Sequence, residues 1–251
     1  MNSGLKALRL AARALKIAIT DPQRLSHIFG TALAASDEVI CHSTDLLRFR
    51  SVALEDVLPE EGEVQIAKLA LFPKTHASLS MPEVVCLILL LKKAKAKNIF
   101  EFGTYKGVSI TQLALNLPEE SHIYTLDLPD ERLNTRFSTD PEDAAIAGEK
   151  GKGSLVLTGL RPRIQFLKCD SAKFDESPFA GGMDFVFVDG AHNYDYIKND
   201  SEKGWRMLRS GGIIAWHDCR PQDADVVRYL LQSPFQPARI AGTTVAFATK
   251  P

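Results

Sequence analysis

A doubly wound, mostly parallel α/β sheet ending in an antiparallel hairpin is the fold this sequence predicts, and three observations predict it. From Met81 onward, apolar runs alternate with helical patterns, the order expected of repeated βα units. Runs such as "NIFEF" and "MDFVFVD" are apolar nearly throughout, which suits strands covered by helices on both faces. The last two runs, around "ARIAG" and "TTVAFATK", lie too close together for a crossover helix and are expected to pair antiparallel.

Residues 1–80 read as an N-terminal helical extension. A helix is expected from Gly4 to Thr20, where no acid occurs, with Lys6, Arg9, Arg13 and Lys16 on one stripe and Leu5, Leu8, Ala12, Leu15 and Ile19 on the next. Such a face is expected to pack on the main domain or on a second subunit, which allows a homo-oligomer; binding at a membrane surface or a targeting peptide is the alternative. A second helix opens at "DPQR", with Pro22 at a first helical position, and "SVALEDVLPEEGEV" reads as an acidic linker. The boundary falls near "HASLSMPE", where Ser80 caps a helix with Glu83 in its first turn.

Residues 81–251 form the second expected domain. Helix Pro82 to Ala96 leads to strand "NIFEF", and helix Val108 to Asn116 leads to strand "HIYTLDL". The interval Pro129 to Pro162, with "GEKGKGS", reads as an insertion over the sheet edge. Then come strands "RIQFLKC" and "MDFVFVD", helix Tyr194 to Leu208, strand "GIIAWHD", helix Asp223 to Gln232 and the hairpin. The result is a seven-stranded, Rossmann-like sheet.

Charge and composition narrow the partner. With 30 basic and 31 acidic residues the chain offers nothing global to a nucleic acid, so a small molecule is the expected partner. Four scattered cysteines without a C-x-x-C pair argue against a zinc ribbon or disulfide framework and fit a cytoplasmic location. The longest apolar run, "VVCLILLL", is far shorter than the ~20 residues that span a bilayer.

The stretch "IFEFGTYKGVSITQLAL" carries the site. In a doubly wound sheet, ligands bind outside the carboxyl ends of the strands, and here a strand-end acid, Glu101, is followed by a bend holding Gly103 and Gly107. A dinucleotide fingerprint would read G-x-G-x-x-G, but Tyr105 stands at the middle glycine. A carboxylate repels a pyrophosphate and attracts an ammonium, so Glu101 favours a cationic ligand such as S-adenosylmethionine. Asp127, ending the next strand, is spaced to accept hydrogen bonds from ribose hydroxyls.

"EFGTYKGVS" resembles the first motif of class I S-adenosylmethionine-dependent methyltransferases, in the form seen in the catechol O-methyltransferase branch. "MDFVFVDGAHNYDYIKND" through "LRSGGIIAWHD" is similar to bacterial small-molecule and glycan methyltransferases. The likeness runs from about Met81 to Lys250. It implies that Glu101, Gly103 and Tyr105 line the methionine end of the cofactor, that Gly107, Ser109 and Asp189 also contact it, that Asp127 holds the ribose, and that Asp170 and Ser171 border the adenine, a helix cap being the alternative for these two.

The branch also binds a divalent cation at the positions of Asp189, His217 and Asp218. His217 stands where the branch has an oxygen ligand, which shifts preference from magnesium towards manganese, iron or zinc, or removes the need for metal. His192 falls where the branch carries its basic residue; an imidazole with a pKa near ~6.5 can take a hydroxyl proton, so His192 is the expected general base, with Asp189 beside it. Tyr194 and Tyr196 are expected to pack or to wall the acceptor, Trp216 to border the adenine or fill the interior, and Lys198 and Lys203 to form a solvated face. The expected reaction is O-methylation of a small-molecule or sugar hydroxyl. A dinucleotide-dependent oxidoreductase and a non-catalytic cofactor-binding subunit are the alternatives.

Overall fold

The computed structural model describes residues 44–57, 68–72, 79–129, 135–139, 141–149 and 151–251. The helices expected over 4–20 and 21–39 lie outside the described residues. Strand β1 is Arg50–Val52, β2 Asn98–Phe102, β3 His122–Asp127, β4 Ile164–Lys168, β5 Met183–Val188, β6 Leu208–Trp216, β7 Ala238–Ile240 and β8 Ala246–Thr249. They form an eight-stranded sheet in the order β1-β7-β8-β6-β5-β2-β3-β4. Only β8 runs against its neighbours, pairing antiparallel with both β6 and β7.

The hairpin and parallel core stand as expected, but the strand count is one higher. Arg50–Val52, from the segment expected to be helical extension and linker, pairs parallel with β7 at the sheet edge. Three residues are too few for a periodic pattern to reveal. The acid-rich segment behind β1 also contributes Val57, which is fully buried in the core.

The helices are α1 Met81–Lys93, α2 Val108–Leu115, α3 Pro141–Gly148, α4 Tyr194–Met207 and α5 Ala224–Gln232. At the start of α1 the Ser80 backbone N–H and hydroxyl both donate to Glu83 Oε2, at 2.8 and 2.7 Å, so the expected cap takes reciprocal form. The apolar run in α1 is buried rather than membrane-bound. No helix among the described residues is long and apolar enough to cross a membrane.

Strand alternation divides the core in two. Ile99, Phe185 and Phe187 pack with Leu87, Leu90 and Ile110 of α1 and α2, whereas Phe100, Phe102 and Val186 pack with Ile197, Trp216 and Leu230 on the other face. Each fully buried aromatic or branched side chain contributes about 2 kcal/mol of transfer free energy.

The site is positioned by register. Phe102 pairs with Leu126 on one side and Val188 on the other, and Val188 pairs with Trp216, so β2, β3, β5 and β6 end on one edge. Chain order runs outward in opposite directions from the β5/β2 boundary. That boundary is the topological switch point, where the segments following the strands part and leave a crevice.

Candidate active site

The bend after β2 is built by contacts within the protein. Gly103 has φ +94°, and a Cβ there would fall 1.9 Å from the Asp189 carbonyl oxygen, because the turns after β2 and β5 touch. Gly107, φ +85°, opens α2, and its Cβ would meet Val156 at 2.5 Å and Gly153 at 3.1 Å. These two positions need glycine for close approach of chain segments; both also line the crevice. Tyr105 between them has φ +42° and is held there by its N–H, which donates to Asp127 Oδ2 at 2.6 Å.

Asp127 lines the crevice as expected. Its Oδ1 accepts from the Leu128 N–H at 2.7 Å and lies 3.2 Å from Lys152 Nζ, a nearly buried ammonium from the insertion. Tyr105, Gly107, Ser109, Ser171 and Asp189 share the same walls. Asp170 also reaches the crevice, but its carboxylate mainly fastens the chain: it accepts from the Arg136 N–H at 2.7 Å, the Ala172 N–H at 2.9 Å and the Tyr196 hydroxyl at 3.0 Å.

Glu101 requires a correction. It does not line the crevice; the alternation that puts Ile99 against α2 puts Glu101 on the same face, fully buried. Its carboxylate accepts from the Ser109 and Thr125 hydroxyls, each at 2.5 Å. Burial pushes its pKa up to about 8, against the pull of those two hydroxyls, and the Asp189 and Asp127 charges add to the rise. Glu101 therefore lies behind Ser109 as a floor residue.

In the turns after β5 and β6, Asp189, His217 and Asp218 come together, their potential ligand atoms all within 4.8 Å of one another. His217 Nδ1 lies 3.0 Å from both Asp189 Oδ1 and Asp218 Oδ2, and Nε2 lies 3.6 Å from Glu83 Oε2. Burial disfavours charge on this ring, but the Asp189, Asp218 and Glu83 carboxylates outweigh it and raise the pKa well above the ordinary histidine value. Glu83, anchored by Ser80 and by Thr244, is held well below the usual carboxylate range by those bonds and His217 despite its own burial.

His192 lies on the crevice wall, between two carboxylates. Its backbone N–H donates to Asp143 Oδ2 at 2.7 Å, its ring Nδ1 lies 2.7 Å from Asp143 Oδ1, and Nε2 lies 2.8 Å from Asp218 Oδ2. Burial opposes the charged ring, yet the two carboxylates push its pKa up to about 11. In place of the expected free imidazole, both ring nitrogens are engaged by carboxylates, which favour the protonated ring. Asp218 bridges the two rings and is held far below its ordinary value by His192 and His217, against its burial.

Sequence reasoning missed Glu83, Asp143 and Lys152, whose partners lie far along the chain. It also misjudged Lys203, which is buried and donates to the Ser171 and Phe174 carbonyls at 2.6 and 2.5 Å instead of forming a solvated face. Lys198 is exposed as expected. Tyr196 packs edge-on against Phe137, and Trp216 fills the interior, its Nε1–H donating to Ser201 at 2.8 Å.

A family described as "Methyltransferase domain" matches residues 100–219, which run from within β2 to just past the end of β6. The caffeoyl-CoA O-methyltransferase of Stellaria longipes is 28% identical over 130 residues, 52% of this chain and 49% of its own length. Caffeoyl-CoA O-methyltransferase 2 of Populus trichocarpa is 27% identical over 189 residues, 69% of this chain and 70% of its own. Residues 100–219 carry a methyltransferase domain of the class I S-adenosylmethionine-dependent kind. The chain spans about half the length of the first of those relatives. Its fold is also that of a Staphylococcus aureus protein described as a caffeoyl-CoA O-methyltransferase candidate, at TM-score 0.50 and 15% identity over 69% of this chain and 85% of that one.

Proposed function

We propose that this methyltransferase binds S-adenosylmethionine in the crevice between the bend after β2 and the ends of β3 and β5, and methylates a hydroxyl of a small molecule or sugar. The observation that carries the reading is the convergence of Asp127 and Asp189 on one crevice beside the bend at Gly103. Carboxylates on these walls repel a diphosphate and suit a ligand that carries an ammonium and a sulfonium.

When bound, S-adenosylmethionine supplies an electrophilic methyl carbon. The chain's task is to align the acceptor and manage its proton. Asp189, on the wall, is the group proposed to take the hydroxyl proton, while the His192 imidazolium stabilises negative charge developing on the acceptor oxygen. This replaces the general-base role with an electrostatic one for His192, in keeping with its two carboxylate partners.

A divalent cation fits the cluster of Asp189, His217 and Asp218. Asp218 Oδ1 is buried without a hydrogen bond, 3.2 Å from the Arg220 Nε with which a cation would compete, and the cluster offers two carboxylates and one imidazole. That donor set suits manganese, iron or zinc better than magnesium, and such an ion would act as a Lewis acid towards the acceptor hydroxyl.

The test is formation of S-adenosylhomocysteine from S-adenosylmethionine with a panel of hydroxyl acceptors that includes a catechol and a sugar, before and after chelation. Turnover with at least one acceptor, lost in Asp189→Asn, is expected. Cofactor binding without turnover across the panel would instead support a non-catalytic subunit.

A further inference from the structure

We infer that Asp143, on helix α3 of the insertion between β3 and β4, is the positioning residue for His192, so that the insertion is a working part of the active site. This inference rests on the proposed role of His192.

The geometry is a two-point clamp. Both oxygens of one carboxylate engage one residue: Oδ2 accepts the His192 backbone N–H and Oδ1 faces the ring Nδ1, each at 2.7 Å. A bidentate contact fixes the ring about χ1 and χ2 and places the ring N–H at Nδ1, which leaves Nε2 to point at Asp218. The Asp143 side chain is only 6% exposed, so water does not readily substitute for it.

The clamp is supported on both sides. Asn193, next to His192, accepts the Tyr196 N–H at 2.9 Å as the cap of α4, and its amide donates to the Ser138 carbonyl just before α3. Phe137 packs edge-on against Tyr196 at 5.2 Å between ring centres. One turn beyond Asp143, Ile146 and Ala147 line the same crevice. At the far end of α3, Glu149 accepts the Tyr105 hydroxyl at 3.1 Å and pairs with Lys106 at 2.9 Å. The helix is therefore fastened to the bend after β2 and to the turn after β5, the two places that bound the proposed cofactor site.

The function of this arrangement is to hold His192 at a defined angle to the acceptor. A residue acting this way should affect turnover more than binding. In Asp143→Asn the single remaining carbonyl oxygen can satisfy the backbone N–H or the ring N–H, but not both, while the shape is kept.

The experiment uses the full chain, Asp143→Asn and Asp143→Ala. The first readout is the long-range proton–nitrogen spectrum of the His192 ring, assigned by its absence in His192→Gln. A clamped Nδ1–H in the native protein, released or broadened in both variants, is expected. The second readout is kinetic, with whichever acceptor the panel identifies: kcat should fall about tenfold or more in Asp143→Asn, with the dissociation constant of S-adenosylhomocysteine changed less than about twofold. Should Asp143→Ala fail to fold, Asp143→Asn decides. Unchanged ring signals in Asp143→Asn, or an equal loss of kcat and cofactor affinity, would overturn the positioning role. The ring readout needs no acceptor, so a failure to find turnover refutes the proposed function without deciding this inference.

Discussion

Glu101, behind the crevice, and Asp218, on its wall, are buried carboxylates whose surroundings drive them to opposite charge states. Glu101 receives two hydroxyls and no cation, so desolvation dominates and its pKa climbs to about 8. Asp218 lies between two imidazole rings, 2.8 Å from His192 and 3.0 Å from His217, and stays ionised. Burial penalises charge on both. What differs is the partner's ability to carry charge: a hydroxyl orients towards a carboxylate but does not neutralise it, whereas a ring that can hold a second proton does.

The comparison can be broken most sharply at Asp218. Asp218→Asn leaves two protonated rings facing each other without their shared anion, and is expected to cost about 3–5 kcal/mol in urea unfolding. A loss under about 1 kcal/mol would mean that Asp143, Asp189 and Glu83 hold the rings without it.

At the other carboxylate, Glu101→Gln mimics the protonated acid. Because the folded pKa of Glu101 is raised to about 8 from an ordinary 4.5, its stabilising contribution is complete below pH 4.5 and is lost as pH rises through about 8. The variant should therefore match or fall slightly below the native protein near pH 5 and exceed it in thermal stability at pH 9. His192 acts in the same direction: raised to about 11 from 6.5, its contribution is complete below pH 6.5 and fades as pH climbs through about 11. Native thermal stability should fall from pH 6.5 to 9 for both reasons, and Glu101→Gln should flatten part of that slope. An identical slope in the two proteins would place the Glu101 pKa near its ordinary value.

The smallest effect expected is that of Ser109→Ala. It removes one hydroxyl from Glu101 and should cost about 1 kcal/mol, with the Glu101 pKa moving further up. A loss as large as that from Asp218→Asn would mean that Ser109 holds an ionised acid, erasing the distinction between the two carboxylates.

Much of this was legible in the chain because it is written locally. The β2 bend, the strand-end acids Asp127 and Asp189, and the closing hairpin all follow from short stretches read against strand and turn geometry. The Glu101 error was also legible. Period two puts residue 101 on the face of Ile99, towards α2, and an acid near a strand end need not open on the sheet edge.

The state of His192 was not legible. Asp143 lies 49 residues away and Asp218 26 residues away, and only the folded insertion and the β5–β6 pairing bring all three together. Glu83 reads as half of a capping box, and nothing in that pattern reveals that the same oxygen faces His217.

The claim on which the rest depends is that the crevice at the ends of β2 and β3 holds S-adenosylmethionine through Asp127. Isothermal calorimetry of the native chain and of Asp127→Ala, with S-adenosylmethionine and separately with a nicotinamide dinucleotide, tests it directly. One-to-one binding of S-adenosylmethionine, weakened about tenfold or more in Asp127→Ala, with no heat from the dinucleotide, is the expected result. Equal affinity in the two proteins, or binding of the dinucleotide alone, would contradict it.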